Sequence, residues 1–309
     1  MVSLSDHLIP GPIRGILRGV GQVFFQENAW SGLCFIVGIA ISSPLMAAGA
    51  VVGSVIGWGV GRVLKLDESE VAGGIHGFNP ALVGIATFFF FKPGAICLAL
   101  LAAGCLAATI VTWIMRRYVP FPTYTTPFIV TTWGLYFLGI GLGAARVGSG
   151  GPVGPVGFLG ATAHGISQVM FQANAWTGLL FLVGIGLSEW RHAAWVLGGS
   201  FLGMLMGDYH MTPASRTIDA ESLVGRGLAE SVALGLYGYN ATLAPVALYL
   251  SRQSLVRPIL GIVLAVVFTE LVPMLGLPAL TAPFVLATWL ALSLGWLESR
   301  LGARSPLSS

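Results

Sequence analysis

Charge is scarce in this 309-residue chain: Asp, Glu, Lys and Arg make up only 9% of it, while 55% of the residues are hydrophobic. With a mean hydropathy of +0.85, that balance excludes an ordinary water-soluble domain. The net charge is +3 and the basic residues are scattered rather than clustered, so no nucleic-acid surface is read. Cysteine is scarce too. Cys34, Cys97 and Cys105 lie in apolar stretches without CxxC spacing, which excludes a disulfide framework and leaves them as small buried hydrophobes. Alternating ten-residue strand patterns are missing, which excludes a membrane β-barrel. The first 28 residues are mixed polar, without the basic, apolar, small-residue order of a cleavable signal, so the first membrane segment is expected to direct insertion.

What the chain has instead is apolar length. A hydrocarbon layer of about 30 Å takes about 20 helical residues, and an all-α integral membrane protein follows. Elements are expected near 30–43, 45–64, 81–91, 94–115 and 126–145, and again near 175–188, 192–207, 240–251, 257–276 and 282–298. The stretches 73–79 and 234–240 are read as re-entrant, half-crossing segments.

The two series repeat each other. Residues 19–42 (GVGQVFFQENAWSGLCFIVGIAIS) align without gaps on 165–188 (GISQVMFQANAWTGLLFLVGIGLS), with 15 identities in 24 positions. Further on, "GIHGFNPALVGIA" at 74–86 matches "GLYGYNATLAPVA" at 235–247, and "FPTYTTPFIVTTW" at 121–133 matches "LPALTAPFVLATW" at 277–289. The chain therefore divides into an N-terminal segment 1–18, a first half 19–145, a Gly/Pro-rich linker 146–164, a second half 165–298 and a tail 299–309. Five crossings per half is an odd number, so the second half is expected to insert inverted, with a site where the repeats meet. Arg14 and Arg18 flank one end and Arg300 and Arg304 the other, while the linker carries Arg146 alone, which places both termini in the cytoplasm.

Proline lacks the amide hydrogen that bonds the carbonyl four residues back. If helix runs into each broken motif, Pro127 and Pro283 free the carbonyls of Thr123 and Ala279, and Pro122 and Pro278 free those of Tyr118 and Met274. Such carbonyls need a polar lumen or a partner, so the motifs read either as kinks or as the lining of a pathway. The other shared polar residues pair Gln22 with Gln168, Gln26 with Gln172, Asn28 with Asn174, Asn79 with Asn240 and Thr132 with Thr288. None is ionisable, which suits a neutral polar solute. Some of these, above all Asn28 and Asn174, are equally readable as helix-packing amides or helix caps. Phe25 follows Gln22 by three residues and would share its face in a helix, so that flat rings beside acceptors form a slot for a planar, donor-rich molecule.

These residues carry a family resemblance. LPxxTxPF, intact at 277–284 and with Phe121 for the leading Leu at 121–128, resembles the signature of the urea transporter family, and "GQVFFQ" and "YGYNATL" are similar to further family segments. The resemblance runs from about residue 19 to 298. It implies a channel-like urea transporter with ten transmembrane helices plus two re-entrant half-helices, inverted halves, a pore within each protomer and a homotrimer. It implies further that Gln22, Phe25, Phe78, Leu82 and Thr125 line one side of the pore, with Gln168, Phe171, Tyr239, Leu243 and Thr281 on the other. At Gln168 some relatives carry an acid, and at Tyr239 this chain adds a hydroxyl to the expected ring. Urea and membrane lipid are the expected partners, with no cofactor, no nucleic acid and no catalysis. Scarce lysine and short loops point to a bacterial inner membrane.

Two rivals are weighed. An ammonium channel would use paired histidines, yet His76 is matched by Tyr237, and His164 and His210 fall outside the matched motifs. An intramembrane metal-dependent enzyme would rest on Asp208, Tyr209 and His210 with Asp219 and Glu221, read here as a polar connection without a third ligand. Asp67, Glu68 and Glu70 beside Lys65 read as a loop charge cluster. Glu27, Glu189 and Glu270 are expected to pair with basic residues at interfaces, and Glu230 stays open between that and a functional role.

Overall fold

The computed structural model describes residues 6–148, 156–210 and 231–302, which are mostly helical and contain no strand among the described residues. The first half holds α1 (Gly11–Gly21), α2 (Ala29–Ser42), α3 (Pro44–Val63), the short α4 (Glu68–Ala72), α5 (Phe78–Phe90), α6 (Ala95–Tyr118) and α7 (Thr126–Gly141). The second holds α8 (Phe158–Ser167), α9 (Ala175–Ser188), α10 (Trp190–His210), α11 (Tyr239–Ser251), α12 (Val256–Leu271) and α13 (Ala282–Gly302). Single 3₁₀ turns at Gln22–Phe24 and Gln168–Met170 follow α1 and α8, and a third at Val272–Leu275 prolongs α12.

The starts of the helices follow from local chemistry. The side chain of Asn28 accepts from the amides of Trp30 at 2.9 Å and Ser31 at 3.1 Å, and that of Asn174 from Thr177 at 3.1 Å, so both matched asparagines are N-caps. Ser43 caps α3, whose first residue is Pro44, where the missing amide hydrogen costs nothing. Sharp bends of 74° and 72° separate the α1 and α8 segments from α2 and α9.

Among the described residues three helical segments, Pro44–Val63, Ala95–Tyr118 and Val256–Leu275, are long and apolar enough to cross a bilayer, and up to five if each bent pair counts as one span. With the apolar exterior, this is the build of a multi-pass membrane protein. Helices α5 and α11 have 13 residues each, about 20 Å of helix, short of a full crossing.

The two series meet where α2 packs on α9. Ser31 Oγ donates to the Gly184 carbonyl and Thr177 Oγ1 to the Gly38 carbonyl, both at 2.7 Å, and the Phe35 and Phe181 rings meet edge to face with centroids 5.1 Å apart. Such interhelical bonds contribute about 0.6 kcal/mol each in a membrane, where close packing of small residues carries much of the association. A second matched pair, Ser54 to the Ile16 carbonyl and Ser200 to the Thr162 carbonyl, again at 2.7 Å, fastens α3 to α1 and α10 to α8. Gly74 and Gly235 take φ of +82° and +79° against the backbone of Gly19 and Gly165, where a side chain would fail on both conformation and space.

Some expectations need revision. Helices α1 and α8 lie in stretches read as mixed polar segment and linker. Asp208, Tyr209 and His210 close α10 rather than forming a polar connection, whereas Asp219, Glu221 and Glu230 lie outside the described residues. Glu68 and Glu70 belong to α4, with Asp67 capping it through the Glu70 amide. Of the acids near apolar segments, Glu27 does pair with a base, Arg18, at 3.2 Å. Glu189 instead accepts the Arg191 amide, and Glu270 is hydrogen-bonded to Tyr237. Arg18, read from sequence as a flanking charge, makes a two-pronged bond to buried Asp6, both contacts at 2.9 Å, while the same carboxylate accepts the Ala29 amide at the start of α2.

Candidate functional site

The prolines do not kink continuous helices. Helix α6 ends at Tyr118, irregular chain follows, and α7 and α13 begin at Thr126 and Ala282 with Pro127 and Pro283 in their first turns. In a first turn the amide hydrogen that proline lacks would have had no intrahelical partner, so the motif starts a helix instead of interrupting one. The carbonyls of Thr123 and Ala279 accordingly accept the amides of Thr126 and Ala282, at 3.0 and 3.1 Å, and are not free.

Each motif forms a tight turn held by an asparagine of α5 or α11. Asn79 Oδ1 accepts the Phe128 amide at 3.2 Å, and its Nδ2 donates to Thr112 Oγ1 at 3.1 Å and the Tyr124 carbonyl at 3.4 Å. Asn240 repeats this with the Phe284 amide at 3.1 Å, Thr269 Oγ1 at 3.4 Å and the Leu280 carbonyl at 3.5 Å. Both asparagines are fully buried, so these bonds satisfy amides that would otherwise be costly. The turns then bring their threonines together: Thr125 Oγ1 and Thr281 Oγ1 lie 2.7 Å apart, both buried.

Beside this contact lies a cavity of about 220 Å³ lined by Gln168, Phe171, Tyr239 and Thr281, with Phe89, Phe90, Val169, Leu236 and the 278–280 turn completing its wall. Four of the five residues expected on the second side thus share one space. The fifth, Leu243, is fully buried and does not line it, and neither does its match Leu82. On the first side Gln22 donates to the Gly73 carbonyl at 2.9 Å, while the half-buried Phe25 ring meets Tyr124 and Phe284 edge to face with centroids 6.0 and 6.1 Å away. Phe78 opens α5, half-buried. Phe25 and Phe171 are not helical neighbours of their glutamines. Each ends its 3₁₀ turn in the left-handed region, at φ of 61° and 62°, which turns the rings toward the broken motifs: Phe25 meets Phe284, and Phe171 meets Phe128 at 6.2 Å.

A second cavity of about 540 Å³ shares Leu236, Tyr239 and Ala279 with the first and reaches Ser231, Tyr237 and Glu270. A third, of about 620 Å³, is lined by Glu70, His76, Trp113 and Arg116. From the repeat spacing, Glu70 matches Ser231 and His76 matches Tyr237, and Thr112 and Thr269, which bond the matched asparagines, make their next residues Trp113 and Glu270 counterparts, so these two cavities are equivalent in position and different in charge. Sequence reasoning missed this; the alignment of 74–86 with 235–247 could have found it.

Three described histidines have separate partners: His76 sits beside Glu70, His164 is bonded to the Ala233 carbonyl and His192 to Gln26. Among the described residues no three His, Cys, Asp or Glu side chains are grouped to hold a metal.

Comparison with known proteins bears on what this geometry serves. A family model described as "Urea transporter" matches residues 13–295. Among curated relatives, Urea transporter 1 of Ovis aries is 25% identical over 314 residues, covering 90% of this chain and 76% of that protein. Urea transporter 1 of Mus musculus is 26% identical over 308 residues, and that of Rattus norvegicus 26% over 307, with the same coverage.

Proposed function

Because the chain belongs to the urea transporter family, and so is a transport protein rather than an enzyme, we propose that it conducts urea passively through a narrow, uncharged passage between its two halves. The observation that carries this reading is the cavity of Gln168, Phe171, Tyr239 and Thr281 ending on the Thr125–Thr281 hydroxyl pair, at the contact of two matched turns. Gln22, Phe25, Phe78 and Thr125 form the corresponding approach on the other side, and Leu82 and Leu243 back the constriction.

Urea is planar and neutral, with donors on two nitrogens and one carbonyl acceptor. Hydroxyls and side-chain amides replace its water, and the aromatic rings cover its faces. Conduction requires each such site to bind weakly, and a hydroxyl pair without formal charge meets that requirement. Matched contacts throughout the two series support an inverted repeat. Helices α5 and α11, counted from sequence among the crossings, are too short to cross and take the re-entrant role first read at 73–79 and 234–240, which begin as turns leading into them, and α1 and α8 then complete ten spans. A homotrimer, an inner-membrane location and cytoplasmic termini complete the reading, the first two from the family resemblance and chain composition, the last from the flanking arginines.

The test is stopped-flow shrinkage and swelling of vesicles carrying the purified chain. Urea flux above that of empty vesicles, rising with the urea gradient and indifferent to sodium or proton gradients, is expected. Flux that requires either ion gradient would remove the channel mechanism, and no urea flux would remove the function.

A further inference from the structure

Among the described residues five non-glycine residues have left-handed φ, and four of them form two matched pairs: Phe25 with Phe171, and Tyr124 with Leu280, the latter at 44° and 47°. Tyr124 and Leu280 immediately precede the paired threonines. Large side chains in this region are strained, and such turns persist where several neighbours over-determine them. Asn79 and Asn240 supply the hold from within each half. The other hold crosses between halves. Trp133 Nε1 donates to the Pro278 carbonyl at 2.8 Å, and Trp289 Nε1 donates to the Pro122 carbonyl at 2.9 Å.

The connectivity of these bonds is closed. Trp133 lies on α7 eight residues beyond Thr125, about 12 Å along the helix, and Trp289 lies on α13 eight residues beyond Thr281. The helix that starts at one threonine turn therefore carries the indole that anchors the opposite turn, and the reverse holds as well. A displacement of either turn must stretch both bonds. Both indoles are half-buried against the core, with the N–H as the sole polar group of the ring.

We infer that Trp133 and Trp289 are positioning residues that fix the gap between the threonine turns and thereby set which solutes pass. This rests on the reading of that gap as the urea passage. Packing alone would need the ring but not its N–H. A gauge of the gap needs the bond, because without it the Pro278 or Pro122 carbonyl loses its partner and the strained turn relaxes.

The experiment compares the native chain with Trp133→Phe, Trp289→Phe and the double variant in vesicles, reading permeability to urea, N-methylurea and water by stopped flow, with thermal unfolding of each. The expected result is a several-fold rise in the N-methylurea to urea ratio in each single variant, similar for the two, with urea still conducted. An unchanged ratio in both, with or without lowered thermal stability, would make the indoles structural and overturn the inference. Should a phenylalanine variant fail to fold, benzothienylalanine at 133 or 289 keeps the bicyclic volume, lacks only the N–H and decides by the same ratio. A native chain that conducts no urea would overturn the functional reading and this inference with it, whereas native conduction with an unmoved ratio overturns this inference alone.

Discussion

Thr125 Oγ1 and Thr281 Oγ1 are each other's partners across the seam of the two halves, 2.7 Å apart and shut off from solvent. One hydroxyl donates and the other accepts, and each threonine is positioned by its own proline-led helix start. An intramolecular hydrogen bond of this kind contributes a net of about 1 kcal/mol, so an arriving amide can exchange for it at little cost and leave as readily. On the proposed reading, the pair would act as a closed but weak latch in the passage.

The latch gives a double-mutant test. Thr125→Val alone keeps the shape and leaves the Thr281 hydroxyl buried without a partner, at a cost of about 1–3 kcal/mol, while Thr125→Val with Thr281→Val removes both polar groups and is expected near native stability. Urea flux should nevertheless fall in the double variant by about tenfold, the equivalent of roughly 1.4 kcal/mol in barrier. Unfolding in detergent and stopped-flow flux read the two quantities separately. Unchanged flux in a folded double variant would count against the threonines as pathway groups.

The asparagine clamps predict equal losses in the two halves. Asn79→Ala deprives the Phe128 amide and the Tyr124 carbonyl of a shared partner, and Asn240→Ala does the same to Phe284 and Leu280. Each should lower stability by about 1–3 kcal/mol, since the groups left behind are buried. A midpoint shift in denaturant titration that is large for one and absent for the other would show that the two turns are not held alike.

Much of this arrangement is legible in the sequence because the halves repeat. Ten expected elements coincide with α2, α3, α5 to α7 and α9 to α13, differing mainly at their ends, and Asn28 and Asn174 are readable as caps. Helices α1 and α8 escaped because they are short, 11 and 10 residues; the buried face of α1 is built largely from Gly15, Gly19 and Gly21, which pack closely without raising hydropathy, and α8 starts inside the stretch read as linker. The prolines misled in a specific way: the assumption of helix on both sides turned a helix start into a kink, although a proline one residue inside an apolar run favours the start. The Trp–carbonyl bonds were beyond reach, since nothing local in the sequence says which distant carbonyl an indole meets.

Close approach of backbones gives a prediction about small residues. A Cβ on Gly32 would lie 1.9 Å from the Leu17 carbonyl oxygen, and one on Gly178 would lie 2.1 Å from that of Ala163, inside the bends that join α1 to α2 and α8 to α9. Backbone cannot swing aside as a side-chain tip can. Gly32→Ala and Gly178→Ala should each destabilise by at least the roughly 1–3 kcal/mol typical of overpacking. Gly198→Ala, in the interior of α10 where a Cβ meets nothing within 4 Å, should hold or slightly raise the thermal midpoint in detergent, since Ala favours helix over Gly. A native-like midpoint for both bend variants would mean the bends are looser than described.

The charged cavity on the first half adds a dependence on pH. His76 is buried in the turn before α5, with Nε2 at ion-pair distance, 3.2 Å, from Glu70 and Nδ1 without a partner among the described residues. Burial pushes its pKa below the ordinary imidazole range. The Glu70 and Asp67 charges oppose that shift, and Arg116, bound to the same Glu70, adds to it. The folded chain thus keeps His76 neutral where the unfolded chain takes up a proton. Since the unfolded state binds more protons between the lowered folded value and about 6.5, stability contributed by neutral His76 is intact above about pH 6.5 and declines as pH falls below it. His76→Tyr, which installs the residue found at matched Tyr237, removes that titration. The thermal midpoint of the native chain should fall between about pH 7 and pH 5.5 more steeply than that of the variant. Parallel curves would show that the imidazole is already accommodated in both protonation states and that this cavity carries no acid sensitivity of its own.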